Sequence, residues 1–141
     1  MAYKVLVVDD SLPMRSVIKK TIKASGFGDT AFFDASNGQE ALAVLQEEWI
    51  DIVVTDYNMP EMNGIELIQE MKKDEVTSTI PVLVITTESS QAKVAEFMEK
   101  GASGYIKKPF TPEAIKEQLI QILGEADYDA GIEESDNGFD F

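Results

Sequence analysis

The sequence contains neither cysteine nor histidine among its 141 residues. Without cysteine, the chain forms no disulfide framework and no thiolate metal site, and it suits a reducing compartment. Without histidine, it offers no histidine catalysis, no histidine metal ligand and no phosphohistidine. Any metal site on this chain must therefore be built from oxygen ligands.

Long apolar segments are also missing. Residues 1–5 lead directly into a strand-like run of Val and Leu, without the extended apolar region and small-residue cleavage site of a signal peptide. No apolar run reaches the length that spans a membrane. We therefore expect a cytoplasmic, soluble protein with no membrane partner.

Basic residues are few, because 12 Lys and Arg stand against 26 Asp and Glu, for a net charge of −14. Half of this excess lies in residues 125–141, which hold seven acids and no base. We expect no nucleic-acid partner, since phosphate contacts require a basic face. The acidic composition and the lack of a sustained period predict a domain over residues 1–124 and a mobile, disordered tail over residues 125–141.

The hydrophobic fraction of 44% is enough for one domain with a real core. Short apolar runs that do not alternate are typical of strands buried on both faces of a parallel sheet. Apolar residues at helical spacing follow each run. We predict five strands, each followed by a helix, in a doubly wound α/β fold; the strands cover residues 3–8, 30–35, 52–56, 82–86 and 104–107.

Turn and cap residues place the helices between these strands. The first opens at Pro13, and the second follows a turn at Asn37-Gly38 and ends near Trp49. The third runs from about residue 64 to 73, and the fourth is capped by Ser89 or Ser90 and stopped by Gly101. Thr111 caps the fifth helix, which Pro112 begins.

Polar side chains occur where the predicted strands end. Asp9 and Asp10 follow the first strand, Asp56 the third, Thr86 the fourth and Lys108 the fifth. Because the carboxyl ends of parallel strands share one edge of the sheet, we expect these side chains to converge there. Each residue taken alone has an ordinary explanation as a loop cap, a strand-end Thr or a solvated Lys. Their joint occurrence at successive strand ends favours a site.

Three clustered carboxylates repel one another unless a cation joins them, and oxygen ligands suit a hard ion such as Mg²⁺. Lys108 beside them would remain charged and neutralise a further anion. An Asp carboxylate can act as a nucleophile and form an acyl phosphate. Since phosphoryl transfer depends mainly on alignment and charge neutralisation, the sequence favours phosphoryl transfer to Asp56, with the Thr86 hydroxyl bonding a phosphoryl oxygen.

With these residues identified, the sequence strongly resembles a response-regulator receiver domain of the single-domain chemotaxis type. The resemblance rests on Asp9-Asp10, on Asp56 with Met59-Pro60 and Gly64, on Thr86, and on residues 101–110. It runs from about residue 3 to 123, and Asn58 and Glu88 carry the likeness to the chemotaxis type. It implies a flavodoxin-like (βα)5 fold with strand order 2-1-3-4-5, for which the chemotaxis regulator is itself a standard example.

The resemblance also implies roles at the predicted site. Asp56 would accept a phosphoryl group from a histidine kinase. Asp10 and Asp56 would bind Mg²⁺ directly, Asp9 through water and Asn58 through its backbone carbonyl. Lys108 would pair with Asp56 or with its phosphoryl group.

A switch is implied as well. Thr86 would move to the phosphoryl group and Tyr105 would turn inward behind it, which changes the affinity of the face formed by helix four, strand five and helix five for a partner. The Lys108-Pro109 bond would be cis.

A flagellar motor switch protein would be the output partner, and a phosphatase would be a further possible partner. No output domain follows in the sequence, so output would depend on docking.

Four points remain open. Tyr57 stands where the best-known chemotaxis member has Trp. Phosphatases that use an aspartyl phosphate carry a second Asp two places after the nucleophile, and Asn58 at that place argues against sustained turnover. A scaffold that never receives phosphate is a third alternative. The tail, with Phe139 and Phe141, would either solubilise the chain or dock on the switch face or a partner.

Overall fold

The computed structural model describes residues 3–87 and 90–124, and their centre is a five-stranded parallel sheet. The order β2-β1-β3-β4-β5 and the parallel pairing of all neighbours confirm the predicted fold. β3 and β4 are buried along their whole length, as their non-alternating sequences indicated. The strands are β1 Lys4–Val8, β2 Ala31–Ala35, β3 Ile52–Asp56, β4 Val82–Thr86 and β5 Gly104–Lys107.

An α-helix follows each strand, and a polar side chain caps the start of each α-helix. The helices are α1 Leu12–Ala24, α2 Gly38–Glu47, α3 Gly64–Lys72, α4 Gln91–Lys100 and α5 Pro112–Leu123, with a short 3-10 helix at Thr77–Thr79. The caps are Ser11, Asn37, Asn63, Ser90 and Thr111, and each side chain accepts a hydrogen bond from a backbone N–H of the first turn. These caps give each element a defined start.

The start of α2 differs from the prediction. Gly38 is the first residue of the helix, and the Asn37 side chain accepts a hydrogen bond from the N–H of Glu40. Asn37-Gly38 is therefore a helix cap instead of a separate turn, because an Asn that favours turns also satisfies the free amides of a helix start. The helix ends at Glu47, two residues before Trp49.

Two apolar clusters hold the layers together, one on each face of the sheet. One packs β-strand residues such as Val53 and Val84 against α2, α3 and α4. The other packs residues such as Val54 and Ile85 against α1 and α5. Each fully buried Leu, Ile or Phe contributes about 1.5–3 kcal/mol to folding. The two clusters therefore fix the sheet whose carboxyl edge carries the polar residues.

The opposite edge of the sheet bears two exposed apolar side chains. Trp49, the single tryptophan of the chain, is 83% exposed, and Val76 is 62% exposed. In the described part of the chain, no helix combines the length and the apolar character needed to cross a bilayer. The predicted mobility of residues 125–141 lies outside the described residues.

Candidate functional site

The predicted acids come together at the carboxyl edge of the sheet. Asp9 and Asp10 follow β1, and Asp56 is the last residue of β3, which pairs directly with β1. One carboxylate oxygen from each of the three lies within 4.8 Å of the others. Asp9 and Asp56 are buried, whereas Asp10 is exposed. The site is therefore open on one side and enclosed on the other.

Lys108 enters the cluster from the end of β5. Its Nζ lies 3.2 Å from Asp56 Oδ1 and 3.8 Å from Asp9 Oδ2. The backbone holds this placement, because the Lys108 N–H donates to the carbonyl of Thr86 at 2.8 Å. The Lys108-Pro109 peptide bond is cis, as predicted. One ammonium therefore faces three carboxylates, which leaves the cluster short of positive charge.

Asp9 shows the effect of this imbalance. Burial raises the pKa of Asp9, and the neighbouring charges of Asp56 and Asp10 raise it further. A hydrogen bond from the Ser11 N–H at 2.8 Å and the charge of Lys108 oppose the rise without cancelling it. Keeping Asp9 ionised therefore lowers the free energy of unfolding.

The residues of the cluster fit a hard divalent cation. All the charged ligands are carboxylate oxygens, which Mg²⁺ prefers. Asp9 Oδ2 is buried and accepts no hydrogen bond from the described residues. A cation between the three carboxylates would satisfy this oxygen and relieve the repulsion that raises the pKa of Asp9.

The loop after Asp56 carries the remaining predicted ligand. Asn58 is exposed two residues after Asp56. Glu61 adopts a positive φ of 71°, and the loop closes where the Gly64 N–H donates to the Tyr57 carbonyl at 2.9 Å. A Cβ at Gly64 would lie 3.0 Å from the Asp56 carbonyl oxygen, so glycine allows α3 to begin close beneath the site.

Thr86 and Tyr105 lie on the face of the sheet that packs against α2, α3 and α4. Side chains alternate along strands, and Val84, which is in register with Tyr105, packs with Tyr105 in the cluster beneath α2, α3 and α4. Thr86 follows on the same face and is fully buried, whereas Tyr105 is half-buried. The predicted switch residues therefore share one face, with Thr86 on β4, the strand next to that of Asp56, and Tyr105 on β5.

The sequence interpretation missed two cations near the site. Arg15 of α1 donates to the Asp9 carbonyl at 2.6 Å and pairs with Asp34 at 2.9 Å, so it braces the strand end. Lys93 of α4 donates to the Tyr57 hydroxyl at 3.2 Å. No local sequence pattern predicts either contact, because each joins a helix face to a distant loop or strand.

Comparison with known proteins finds relatives over most of the chain. The family model of the response regulator receiver domain matches residues 5–120. A chemotaxis protein CheY homolog of Campylobacter jejuni is 41% identical over 122 residues, covering 86% of this chain and 92% of the relative. Chemotaxis protein CheY1 of Helicobacter pylori is 42% identical over 125 residues, covering 88% and 99%.

Solved structures show the same fold. Chemotaxis response regulator CheY4 of Vibrio cholerae superposes with a TM-score of 0.78 at 34% identity, covering 86% of this chain and 99% of that one. The receiver domain of a sensor histidine kinase from Pseudomonas aeruginosa, described with magnesium coordinated in its active-site cleft, has a TM-score of 0.76. At 19% identity, the latter shows the fold alone, over 87% of this chain and 98% of that one. On the matched model and these identities, the chain belongs to the response regulator receiver domain family.

Proposed function

We propose that the chain is a response regulator of two-component signalling, of the chemotaxis type, with Asp56 as the phosphoacceptor. The observation that carries the proposal is the contact of Lys108 Nζ with Asp56 Oδ1 at 3.2 Å inside a cluster of three carboxylates. Relatives about 41% identical over most of the chain carry the name chemotaxis protein CheY, which supports the chemotaxis assignment. The receiver domain comprises residues 1–124 in this proposal, and the location is cytoplasmic.

Mg²⁺ is the proposed cofactor. Asp9, Asp10, Asp56 and the backbone carbonyl of Asn58 would hold it, and when bound it neutralises charge on the transferred phosphoryl group. Of these, the three carboxylates lie together, and the exposed position of Asp10 leaves the cluster open to an incoming anion.

The chemistry assigned to the chain's own residues is simple. A carboxylate oxygen of Asp56 forms a bond to the phosphorus of the donor as the bond from phosphorus to the leaving group breaks, which yields an acyl phosphate. Lys108 transfers its contact from the Asp56 carboxylate to the phosphoryl oxygens. The protein contributes alignment and charge neutralisation, which is what a loose phosphoryl-transfer transition state requires.

The proposed output is a change in partner affinity. Thr86 moves its hydroxyl to the phosphoryl group, and Tyr105 turns inward on the face that the two residues share, so the surface of α4, β5 and α5 changes. The proposed partners are a histidine kinase that supplies the phosphoryl group, a flagellar motor switch protein that reads it, and a phosphatase that removes it. Asn58 stands where phosphatases that use an aspartyl phosphate carry a second Asp. We therefore assign the chain the role of a switch that is phosphorylated and dephosphorylated, without sustained enzymatic turnover.

The test is phosphorylation with a small-molecule donor such as acetyl phosphate. With Mg²⁺ present, intact-mass spectrometry should show one added phosphoryl group, and chelation of the metal should prevent the addition. Asp56→Asn should abolish the addition, whereas Asp29→Asn, in the exposed loop before β2, should leave it unchanged. Equal labelling of Asp56→Asn, or no labelling of the wild type, would overturn the proposal.

A further inference from the structure

The surface of α1 carries a group of lysines that the proposed site does not use. They line a groove of about 390 Å³ against the edge strand β2, on a chain whose net charge is −14. The groove is formed by Ser16, Lys19, Lys20, Lys23, Thr30 and Phe32. We call it the lysine groove.

Its charge is only partly compensated. Lys19 Nζ pairs with Asp34 at 2.7 Å. Lys20 and Lys23 form no ion pair with a carboxylate of residues 3–87 or 90–124. Two cations therefore remain for an anionic occupant.

The groove also has an aromatic floor. Lys23 Nζ lies 5.7 Å from the ring centroid of Phe32, a half-buried residue of β2. A floor of this kind offers contact area to apolar and aromatic side chains, while the lysines attract carboxylates. The chemistry fits an acidic peptide that carries aromatic residues.

The chain itself contains such a segment. Residues 125–141 hold seven acids and no Lys or Arg, together with Tyr128, Phe139 and Phe141. Residues 24–71 also lack Lys and Arg, but their ten acids are spread over 48 residues, whereas the seven acids of the segment fall within 17 residues. The complementarity in charge and in aromatic content is therefore internal to one polypeptide.

The segment starts on the face of the sheet that α1 also covers. Helices that follow parallel strands run back to the edge where the strands begin, so α1 and α5 both end at that edge. α1 and α5 pack against each other, and the segment leaves α5 at Gly124. Seventeen extended residues reach at most about 55–60 Å, which is ample for a path around the end of α1 to Lys23.

We propose that residues 125–141 bind to the lysine groove of the same molecule. Exposed ion pairs are individually weak, but tethering raises the local concentration of the segment to the millimolar range, so several weak contacts suffice. The interaction relies on exposed charges and is therefore sensitive to salt. It does not depend on the phosphoacceptor function proposed above.

The test compares lysine reactivity in two full-length chains without a phosphodonor. One is the wild type, and in the other all seven acids of residues 125–141 are changed to the matching amides. Reductive methylation is followed at each lysine by peptide mass spectrometry. Lys20 and Lys23 should react roughly two- to fivefold more slowly in the wild type, the range that exposed ion pairs produce, while the exposed control Lys73, directly after α3, should not differ. In roughly 1 M NaCl, where the Debye length is about 3 Å, the difference should vanish.

Three outcomes would overturn the proposal. Equal reactivity of Lys20 and Lys23 in both chains excludes docking at the groove. Slower reaction at Lys100 and Lys107 instead would place the segment on the face of α4 and β5. Protection that grows with protein concentration would mean that the segment binds a second copy. A zero-length carbodiimide cross-link from the segment to Lys20 or Lys23 within one monomer should form in the wild type and be lost in Lys20→Gln/Lys23→Gln.

Discussion

At the scale of single residues, Asp9 is a buried carboxylate that lowers the stability of the metal-free fold. This carboxylate is only 2% exposed, and its Oδ2 accepts no hydrogen bond from the described residues. Burial and the nearby acids raise its pKa, so the folded protein binds the proton more tightly than the unfolded chain does. Asp9 therefore destabilises the metal-free fold above its raised pKa, and that penalty disappears as the pH falls through it.

The first prediction concerns Asp9→Asn. In metal-free buffer at neutral pH, the variant should be more stable than the wild type by about 1 kcal/mol, because a neutral amide keeps the acceptor for the Ser11 N–H and removes the buried charge. Urea unfolding followed by circular dichroism measures this. Added Mg²⁺ should stabilise the wild type more than the variant.

The matched control for this prediction is Asp10→Asn, which changes an exposed acid of the same cluster and should alter the metal-free stability less. A metal-free Asp9→Asn protein that is less stable than the wild type would show that the Asp9 charge is compensated.

The second prediction concerns Lys108→Ala. Lys108 lies within 4 Å of two of the carboxylates and competes with a divalent cation for them. Its removal should tighten Mg²⁺ binding by roughly tenfold at low salt, measured by calorimetry, while phosphorylation by a small donor slows. Lys107→Ala, an exposed neighbour, should change neither quantity. Weaker Mg²⁺ binding by Lys108→Ala would contradict the argument.

At the scale of elements, strand ends and caps were readable from the sequence, and lateral contacts of helices were not. Asp56 was predicted to lie at the end of a strand because a buried apolar run ends at it. Thr111 was predicted to cap a helix because Pro112 follows it. The contact of Lys93 with Tyr57 was not predicted, since it depends on how α4 is rotated about its axis where it packs against α3 and β5. That rotation results from core packing around Phe97, whose ring centroid lies 5.1 Å from that of Tyr57.

The third prediction concerns the start of α3. Asn63 and Glu66 form a reciprocal capping box, with hydrogen bonds of 2.8 and 2.9 Å. Asn63→Ala should lower the free energy of unfolding by about 1 kcal/mol, the usual cost of losing a cap. Gln69→Ala, at an exposed position of the same helix, serves as the control. Equal stability of the two variants in urea would show that tertiary packing alone sets the start of α3.

At the scale of the whole molecule, the excess of acidic side chains produces repulsion throughout the chain. The ion pairs of Asp34 with Lys19 and Arg15 are locally attractive instead. Burial tends to raise the pKa of Asp34, but hydrogen bonds and charge interactions with Lys19 and Arg15 prevail and lower it. This group therefore stabilises the fold above its unfolded pKa and loses that contribution as the pH falls through its lowered folded pKa.

The fourth prediction follows from the net charge of −14. Raising NaCl from low ionic strength to roughly 0.5 M should increase the free energy of unfolding by about 1 kcal/mol, because screening of the general repulsion outweighs the weakening of the few surface pairs. KCl at equal ionic strength should give the same change, which distinguishes screening from a specific ion effect. Salt-induced destabilisation in urea titrations would contradict the prediction.

The exposed position of Trp49 has a spectroscopic consequence. A five-residue strand, about 17 Å long, separates the edge that bears Trp49 from the edge that bears Asp56. Because 83% of the residue is exposed, its indole is already solvated in the native state. Tryptophan fluorescence should therefore report neither unfolding nor occupancy of the acidic cluster. Tyr57→Trp in a Trp49→Phe background would move the only indole beside Asp56 and provide an optical reporter for titrating the site.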